Sequence, residues 1–325
     1  MPVSTIAAVA GVAKQTQRGT LPANPSFAHG LMGGAPITVE PTQSPLEVTS
    51  GQRAQTTIIR EVAATSVEVS APAYLKTLGL YLLAAMGTVT TTGAGPYKHA
   101  YATGDLPYLG VFVKGIGTEI EAIRDCKADE LTLKWDGAKP LEISVKASGT
   151  VFSYPASFTP TVDETGSDSF LVPIGGTFEY DAIGSTLAAA RVISGELTIK
   201  NNVAAINASG SIVAADVHEG VQEHSLKLTI VPDDLADFRK TVTGSASGTG
   251  VSETVPFGSV SLAFKENGGT GGLTVTGSKV AFLTAFPEAD PAGGAVEIEL
   301  AGQAVLPSGG VSPLVYTLTN AQAAY

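Results

Sequence analysis

The chain has 325 residues and a formal net charge of −11, and only 15% of its residues are charged, against about 25% in ordinary soluble proteins. A hydrophobic fraction of 44% is enough for a large core, which excludes intrinsic disorder for the bulk of the chain. No apolar run approaches the length of about 18 residues that crosses a bilayer. The single cysteine, Cys126, excludes intrachain disulfides and metal sites built from several thiolates.

The first 50 residues are rich in Pro, Gly, Ser and Thr and have little sustained period, which predicts an N-terminal arm. No basic residue precedes the short apolar stretch near the start, so we expect no secretory signal. Pro72 then predicts the first turn of a helix that Gly87 ends. Apolar residues recur at helical spacing between them: Leu75, Leu78, Leu82, Leu83 and Met86.

Residues 129–151 predict one long antiparallel hairpin. Apolar and polar side chains alternate strictly on both sides of Asp136-Gly137, a pair that favours the positive φ of a tight turn. Shorter strands are predicted at residues 111–113, 197–199, 226–230, 260–264 and 296–300. A second helix is predicted from Pro232, because Asp233 and Asp234 come early and Lys240 late, as the helix dipole favours.

The two halves indicate a tandem duplication. Pro72, Leu75 and Leu78 match Pro232, Leu235 and Phe238 at an offset of 160 residues, and residues 141–143 match 296–298 at an offset of 155. At the first offset, the strands before the two helices are one residue out of register. We therefore expect an all-β protein (β-sandwich or barrel) with one short helix per module: an arm (1–50), a first module (51–157), a connector (158–174) and a second module (175–325).

No catalytic, cofactor or metal site is predicted. His218 and His224 lie six residues apart around a helix-breaking glycine, so they cannot act as ligands one helical turn apart. The glycine-rich run at residues 267–272 lacks the Lys-Ser/Thr of a phosphate loop, and paired carboxylates such as Asp233 and Asp234 are typical of surfaces and helix caps. Cys126 fits a half-buried strand better than a reactive thiol.

Beyond these patterns, the order of motifs resembles the tail tube proteins (major tail proteins) of long-tailed bacteriophages. The resemblance spans about residues 10–305. It rests on the opening around Lys14-Gln15-Thr16, on Leu82-Leu83-Ala84-Ala85-Met86-Gly87, on Tyr97-Lys98-His99-Ala100-Tyr101, on the Leu106-Pro107 turn, and on residues 125–133, 196–203 and 233–235.

This resemblance implies a structural virion protein without catalysis, whose rings stack into a hollow tube that conducts phage DNA to the host. It implies assembly in the host cytoplasm, incorporation into the phage tail, no membrane contact, and the tail terminator, distal tail and tape measure proteins as partners. DNA is expected to pass through the lumen without specific binding. Many tail tubes use six single-module copies per ring, so two modules per chain favour a trimer over a hexamer.

The polar faces of the predicted hairpins suggest which residues face the lumen. Glu142 in the first module and Glu297 and Glu299 in the second lie at equivalent places in the repeat. Residues 166–325 carry −9 of the net charge of −11. We therefore hypothesise that these three glutamates face the lumen, where like charge keeps phosphates from adhering; the outer wall or a subunit contact is the open alternative.

A surface adhesin or carbohydrate-binding β-sandwich is the alternative from another class, since it shares low charge and Thr- and Gly-rich strands. The low number of aromatic residues, with Trp135 as the single tryptophan, and the Leu-rich helix argue against it.

Overall fold

A computed structural model describes residues 9–32, 37–45, 57–114, 119–155, 169–232, 235–284 and 296–325. The fold is mostly β: of the described residues, 56% lie in strands and 7% in two helices, which confirms the predicted all-β class. No helix of these described segments combines the length and the apolar character that a membrane span requires.

In the first half, the described residues form ten strands and one helix: β1 (Val9–Lys14), β2 (Phe27–Gly30), β3 (Ile37–Pro45), β4 (Ile58–Pro72), α1 (Leu75–Met86), β5 (Gly87–Thr92), β6 (Tyr97–Thr103), β7 (Leu109–Lys114), β8 (Glu121–Asp136), β9 (Glu142–Gly149) and β10 (Val151–Ser153). The second half contains β11 (Leu171–Asp181), β12 (Ala188–Ala189), β13 (Val192–Lys200), β14 (Ala204–Ile206), β15 (Asp216–His218), β16 (Glu223–Ile230), α2 (Ala236–Thr243), β17 (Gly258–Glu266), β18 (Gly272–Thr284), β19 (Ile298–Ala304) and β20 (Val315–Asn320).

Strand pairing repeats between the halves. In the first half the antiparallel pairs are β1–β2, β1–β7, β7–β8, β8–β9, β8–β10, β3–β4 and β4–β9. In the second half they are β11–β12, β11–β17, β17–β18, β18–β19, β18–β20, β13–β16 and β16–β19, also antiparallel. Each strand of the first list therefore has an equivalent in the second; β5 and β6 are particular to the first half, and β14 and β15 to the second.

The register of these pairs explains the sequence offsets. Ala71 lies opposite Ile143 in β4–β9, and Ile230 lies opposite Ile298 in β16–β19. Ile298 follows Ile143 by 155 residues, but Ile230 follows Ala71 by 159. The offset of 160 taken from the two prolines is therefore one residue too long, which accounts for the mismatch of the strands before the helices.

Among the described strands, two pairs connect the halves. The first part of β8 pairs with β7 and β10, whereas its second part lies between β9 and β13, with Leu133 opposite both Ile143 and Leu197. In addition, β20 pairs with β6, with Tyr316 opposite Tyr101. The order β3-β4-β9-β8-β13-β16-β19-β18 therefore runs continuously through both halves.

Several predicted boundaries differ from the structure. Val9–Lys14, expected in an arm, is a buried strand paired with β7, because its apolar residues Val9, Ala10 and Val12 complete the core. Leu171 to Ile174, expected in the connector, begins β11. Residues 1–8, 33–36, 46–50 and 158–168 of those two segments lie outside the described residues, as do Asp233 and Asp234.

The predicted helix start at Pro72 is wrong. Pro72 is the last residue of β4 and lies opposite Glu142, and α1 begins at Leu75 after the extended Tyr74. Pro72 lacks an N–H group and so ends the strand ladder. The predicted hairpin around Asp136-Gly137 is confirmed by β8 and β9, and Gly137 has φ of 57°.

The two helices differ in burial. All residues of α1 except Lys76 are buried, because this Leu-rich helix is apolar on every side and packs inside the core. In α2, Thr241 is the one buried residue. Burial of a full apolar side chain contributes about 1.5–3 kcal/mol, so α1 contributes much more to the core than α2.

A buried carboxylate fastens the loop after β1 to the sheet. Asp125 has φ of 55°, in the left-handed region, and its side chain is buried. It accepts hydrogen bonds from Gln15 Nε2 (3.0 Å), the Gly19 amide (2.6 Å) and Thr150 Oγ1 (3.0 Å). These bonds join the loop after β1, β8 and the turn before β10 at one point.

Candidate functional site

Six adjacent strands, β4, β9, β8, β13, β16 and β19, present one face to the core and the other to solvent. Along β16, for example, Leu226, Leu228 and Ile230 are buried, while Ser225 and Lys227, which alternate with them, are exposed. This alternation is the period-2 signature of a sheet with one wet face. We call the solvent side of these six strands the polar sheet face.

Charged side chains on this face form rows that cross the strands with alternating sign. The strand register aligns one row as Glu68, Lys146, Glu130, Lys200 and Glu223. A second row, four residues further along the strands, consists of Glu142, Lys134, Glu196 and Lys227. Opposite charges on directly opposed residues stabilise a sheet by about 0.2–1 kcal/mol per pair, so the rows favour this register.

A row of hydroxyl side chains lies between the two charged rows: Ser70, Ser144, Thr132, Thr198 and Ser225. Ser70 Oγ and Ser144 Oγ are 3.4 Å apart, as are Thr132 Oγ1 and Thr198 Oγ1. The polar sheet face is therefore hydroxyl-rich and charged, with no large apolar side chain in these three rows.

Close ion pairs neutralise part of the charge. Lys146 Nζ lies 2.9 Å from Glu130 Oε1, and the hydrogen bond and charge of Glu130 raise the pKa of Lys146. Lys227 Nζ lies 2.8 Å from Glu299 Oε2, which raises the pKa of Lys227 in the same way. Both lysines therefore stay charged at neutral pH.

The three glutamates singled out by sequence lie at or beside this face. Glu142 is exposed on β9 and Glu299 is exposed on β19, with β8, β13 and β16 between their strands. Glu297 is exposed and directly precedes β19. Sequence reasoning missed the pairing of lysines with glutamates across neighbouring strands, although Glu130 and Lys134 on β8 and Glu142 and Lys146 on β9 show opposite signs four residues apart.

The other residues considered for chemistry do not converge. His224 is buried and its pKa is lowered to about 4 by desolvation, whereas His218 is exposed on β15. Cys126 is buried, and desolvation raises the pKa of its thiol well above the usual range, so it is not a reactive thiol. In the segments that the structure describes, no group of three or more His, Cys, Asp or Glu side chains is arranged to hold a metal ion.

The glycine-rich run forms the turn between β17 and β18. Glu266 Oε2 accepts a hydrogen bond from the Gly271 amide at 2.6 Å, and the Asn267 amide bonds to the Phe170 carbonyl at 2.9 Å. These contacts give the segment a structural role as a hairpin turn. Trp135 is only 2% exposed and packs on Phe264, so it offers no stacking surface for a sugar.

The described residues thus form an all-β fold whose strand pairing repeats, with a charged, solvent-facing sheet face that runs through both halves. The family described as phage tail tube protein matches residues 5–304, which is nearly the whole chain. The chain belongs to this family, and it is a structural protein of the phage tail. No curated protein matches it by sequence.

Proposed function

We propose that copies of this chain close into rings that stack as the hollow tail tube through which phage DNA reaches the host. The repeated strand pairing is the observation that carries the proposal. One chain holds two equivalent sets of seven strand pairs, and β8–β13 joins them edge to edge. A chain that already joins two like units by sheet pairing has the geometry of a ring segment.

The stoichiometry that fits this reading is three chains per ring. Each chain contributes two modules, so three chains supply six of them around the axis. Native mass spectrometry of assembled rings measures the number directly. A ring of six chains would overturn the trimer and leave the tube proposal in place.

The polar sheet face is the surface proposed to line the lumen, with Glu142, Glu297 and Glu299 among its acidic groups. The charge pattern supports this role. Lys146 and Lys200 each lie between two glutamates in their row, and so does Lys134. Lys227 lies opposite Glu196 and is paired with Glu299. A passing phosphate therefore meets no lysine without neighbouring carboxylates, which suits conduction of DNA without specific binding.

The proposed partners are further copies of the chain within and between rings, and the tail terminator, distal tail and tape measure proteins. The proposed location is the tail of the virion after assembly in the host cytoplasm, and the role is structural without catalysis.

Sedimentation velocity over a range of concentrations tests the assembly. We expect ring-sized and larger species to grow with concentration. A monomer at every concentration, together with isolated globular particles in negative-stain images, would contradict the proposal.

A further inference from the structure

Two strand edges in the eight-strand order have a partner on one side only, among the residues that the structure describes. β3 pairs with β4 and with no other described strand. At the end of β18, Ala281 and Leu283 pair with Gln303 and Ala301 of β19, while the pairing of β17 with β18 stops at Val280. These two edges are the opposite ends of the order β3-β4-β9-β8-β13-β16-β19-β18.

The internal repeat shows which strand of the other half corresponds to each of these two edge strands. β3 occupies the same place beside β4 as β13 does beside β16, and β18 pairs with β17, β19 and β20 as β8 pairs with β7, β9 and β10. Within the chain, β8 and β13 pair with each other. The equivalent of that junction is a pair between β18 and β3, which lie at opposite ends of the order.

We propose that β3 of one copy pairs antiparallel with the end of β18 of the next copy, repeating between chains the β8–β13 junction within the chain. This proposal rests on the ring assembly proposed above and names its contact. The occupant of each edge is a second copy of this chain, since the chain itself already contains the complementary strand for each.

The register on the β3 side follows from the pairs with its neighbour. Ile37 lies opposite Val67, and Leu197 lies opposite Leu226, at equivalent points of β4 and β16. Ile37 is therefore equivalent to Leu197, and three residues later Glu40 is equivalent to Lys200.

The register on the β18 side follows in the same way. Lys146 lies opposite Glu130, and the equivalent Ala301 lies opposite Leu283. Leu283 is therefore equivalent to Glu130, which pairs with Lys200 within the chain. The proposed junction accordingly places Leu283 opposite Glu40 of the neighbouring copy, and Thr284 opposite its Val39.

The exposed groups at these edges fit such a contact. Leu283 is 74% exposed on a strand end whose backbone is paired on one side, an arrangement that soluble proteins normally cover or charge. On β3, Pro41 and Pro45 lack backbone N–H groups. They restrict strand addition to the first residues of β3, Ile37 to Glu40, which is the segment that the register selects.

Cysteine pairing tests the register. In Glu40→Cys/Leu283→Cys, oxidation of assembled protein should give covalent multimers on a non-reducing gel, because directly opposed strand residues are within disulfide reach. Each single variant should give none, and so should the matched control Glu40→Cys/Gln303→Cys, whose second cysteine lies on β19 away from the edge. Cys126 is buried and does not compete.

A charge reversal tests the same contact without oxidation. Leu283→Glu places two carboxylates opposite each other and should raise the concentration for half-assembly about fivefold, and Leu283→Glu/Glu40→Lys should restore it. Circular dichroism checks that both variants fold. Normal rings in Leu283→Glu without multimers in the double-cysteine variant would overturn this contact and leave ring assembly intact, whereas wild-type protein that never forms rings would overturn both.

Discussion

Replacing Glu142, Glu297 and Glu299 together by lysine tests whether the polar sheet face lines the lumen. Each replacement changes the charge by two units, so the formal charge of the chain rises from −11 to about −5. The new lysine at 142 would lie opposite Lys134, and Lys227 would lose its partner at 299. The variant therefore exposes several cations on a face where every lysine now has a neighbouring carboxylate.

The expected size of the effect on DNA binding follows from counterion release. If the three new lysines of one copy each contact a phosphate, the salt slope of DNA binding steepens by about 2.7, which is roughly a 40-fold difference in affinity between 50 and 200 mM salt. The exposed substitutions should each change folding stability by no more than about 0.5 kcal/mol, with about 0.2–1 kcal/mol more for the like-charged pair at 134 and 142. Tubes should therefore still assemble.

DNA release from virions carrying the variant is the assay, followed by fluorescence of a DNA dye at both salt concentrations. We expect release to slow or stall at 50 mM salt and to recover toward 200 mM. The matched control is Glu119→Lys/Glu179→Lys/Glu253→Lys, which makes the same charge change outside the polar sheet face and should release DNA normally. Normal release by the first variant at low salt would refute the lumenal assignment.

Three further predictions concern the folded chain. Asp125→Ala removes the acceptor for Gln15, Gly19 and Thr150 and should lower the free energy of unfolding by about 3 kcal/mol in thermal or urea denaturation. A Cβ at Gly79 would lie 2.0 Å from the ring of Tyr325, so Gly79→Ala should destabilise the protein, and Gly79→Ala/Tyr325→Ala should be no less stable than Tyr325→Ala. Burial lowers the pKa of His224 from its ordinary value of 6.5 to about 4, so protonation favours the unfolded chain as pH falls. The free energy of unfolding should therefore decrease by about 3 kcal/mol between pH 6.5 and pH 4, and His224→Gln should lose less over this range.

The controls are specific to each prediction. Asp105→Ala, at an exposed loop carboxylate, should leave the melting temperature unchanged, and an equal loss in both aspartate variants would contradict the role of Asp125. Additive losses in the Gly79 and Tyr325 variants would contradict their contact. An unchanged pH profile in His224→Gln would show that burial of His224 does not produce the acid sensitivity; His29, whose pKa burial also lowers, would then be the next group to replace.

Local alternation was sufficient to predict the β8–β9 hairpin, since the turn and both strands lie within a short stretch of chain. β1 could not be predicted in this way. Its partner β7 lies about 100 residues away, and the small residues of Val9–Lys14 stand in a Gly- and Pro-rich context that hides their burial. Pairing between distant strands depends on the whole sheet, which a local pattern does not contain.

The same difference between local pattern and distant pairing holds for the polar sheet face. The exposure of Glu142 and Glu299 follows from alternation with buried neighbours on their own strands. The rows of alternating charge, in contrast, need the register of five strands, and a shift of one residue in any of them would send its side chains to the core. Sequence therefore predicted the exposed acidic groups but not the lysines that lie opposite them on neighbouring strands.

Electron cryomicroscopy of the assembled protein shows directly how the chains are arranged. We expect a hollow tube built from stacked rings of three chains, with the polar sheet face on the inner wall and β3 of each chain beside β18 of the next. Solid fibres, particles without a channel, or a tube with the polar sheet face on its outer surface would contradict it.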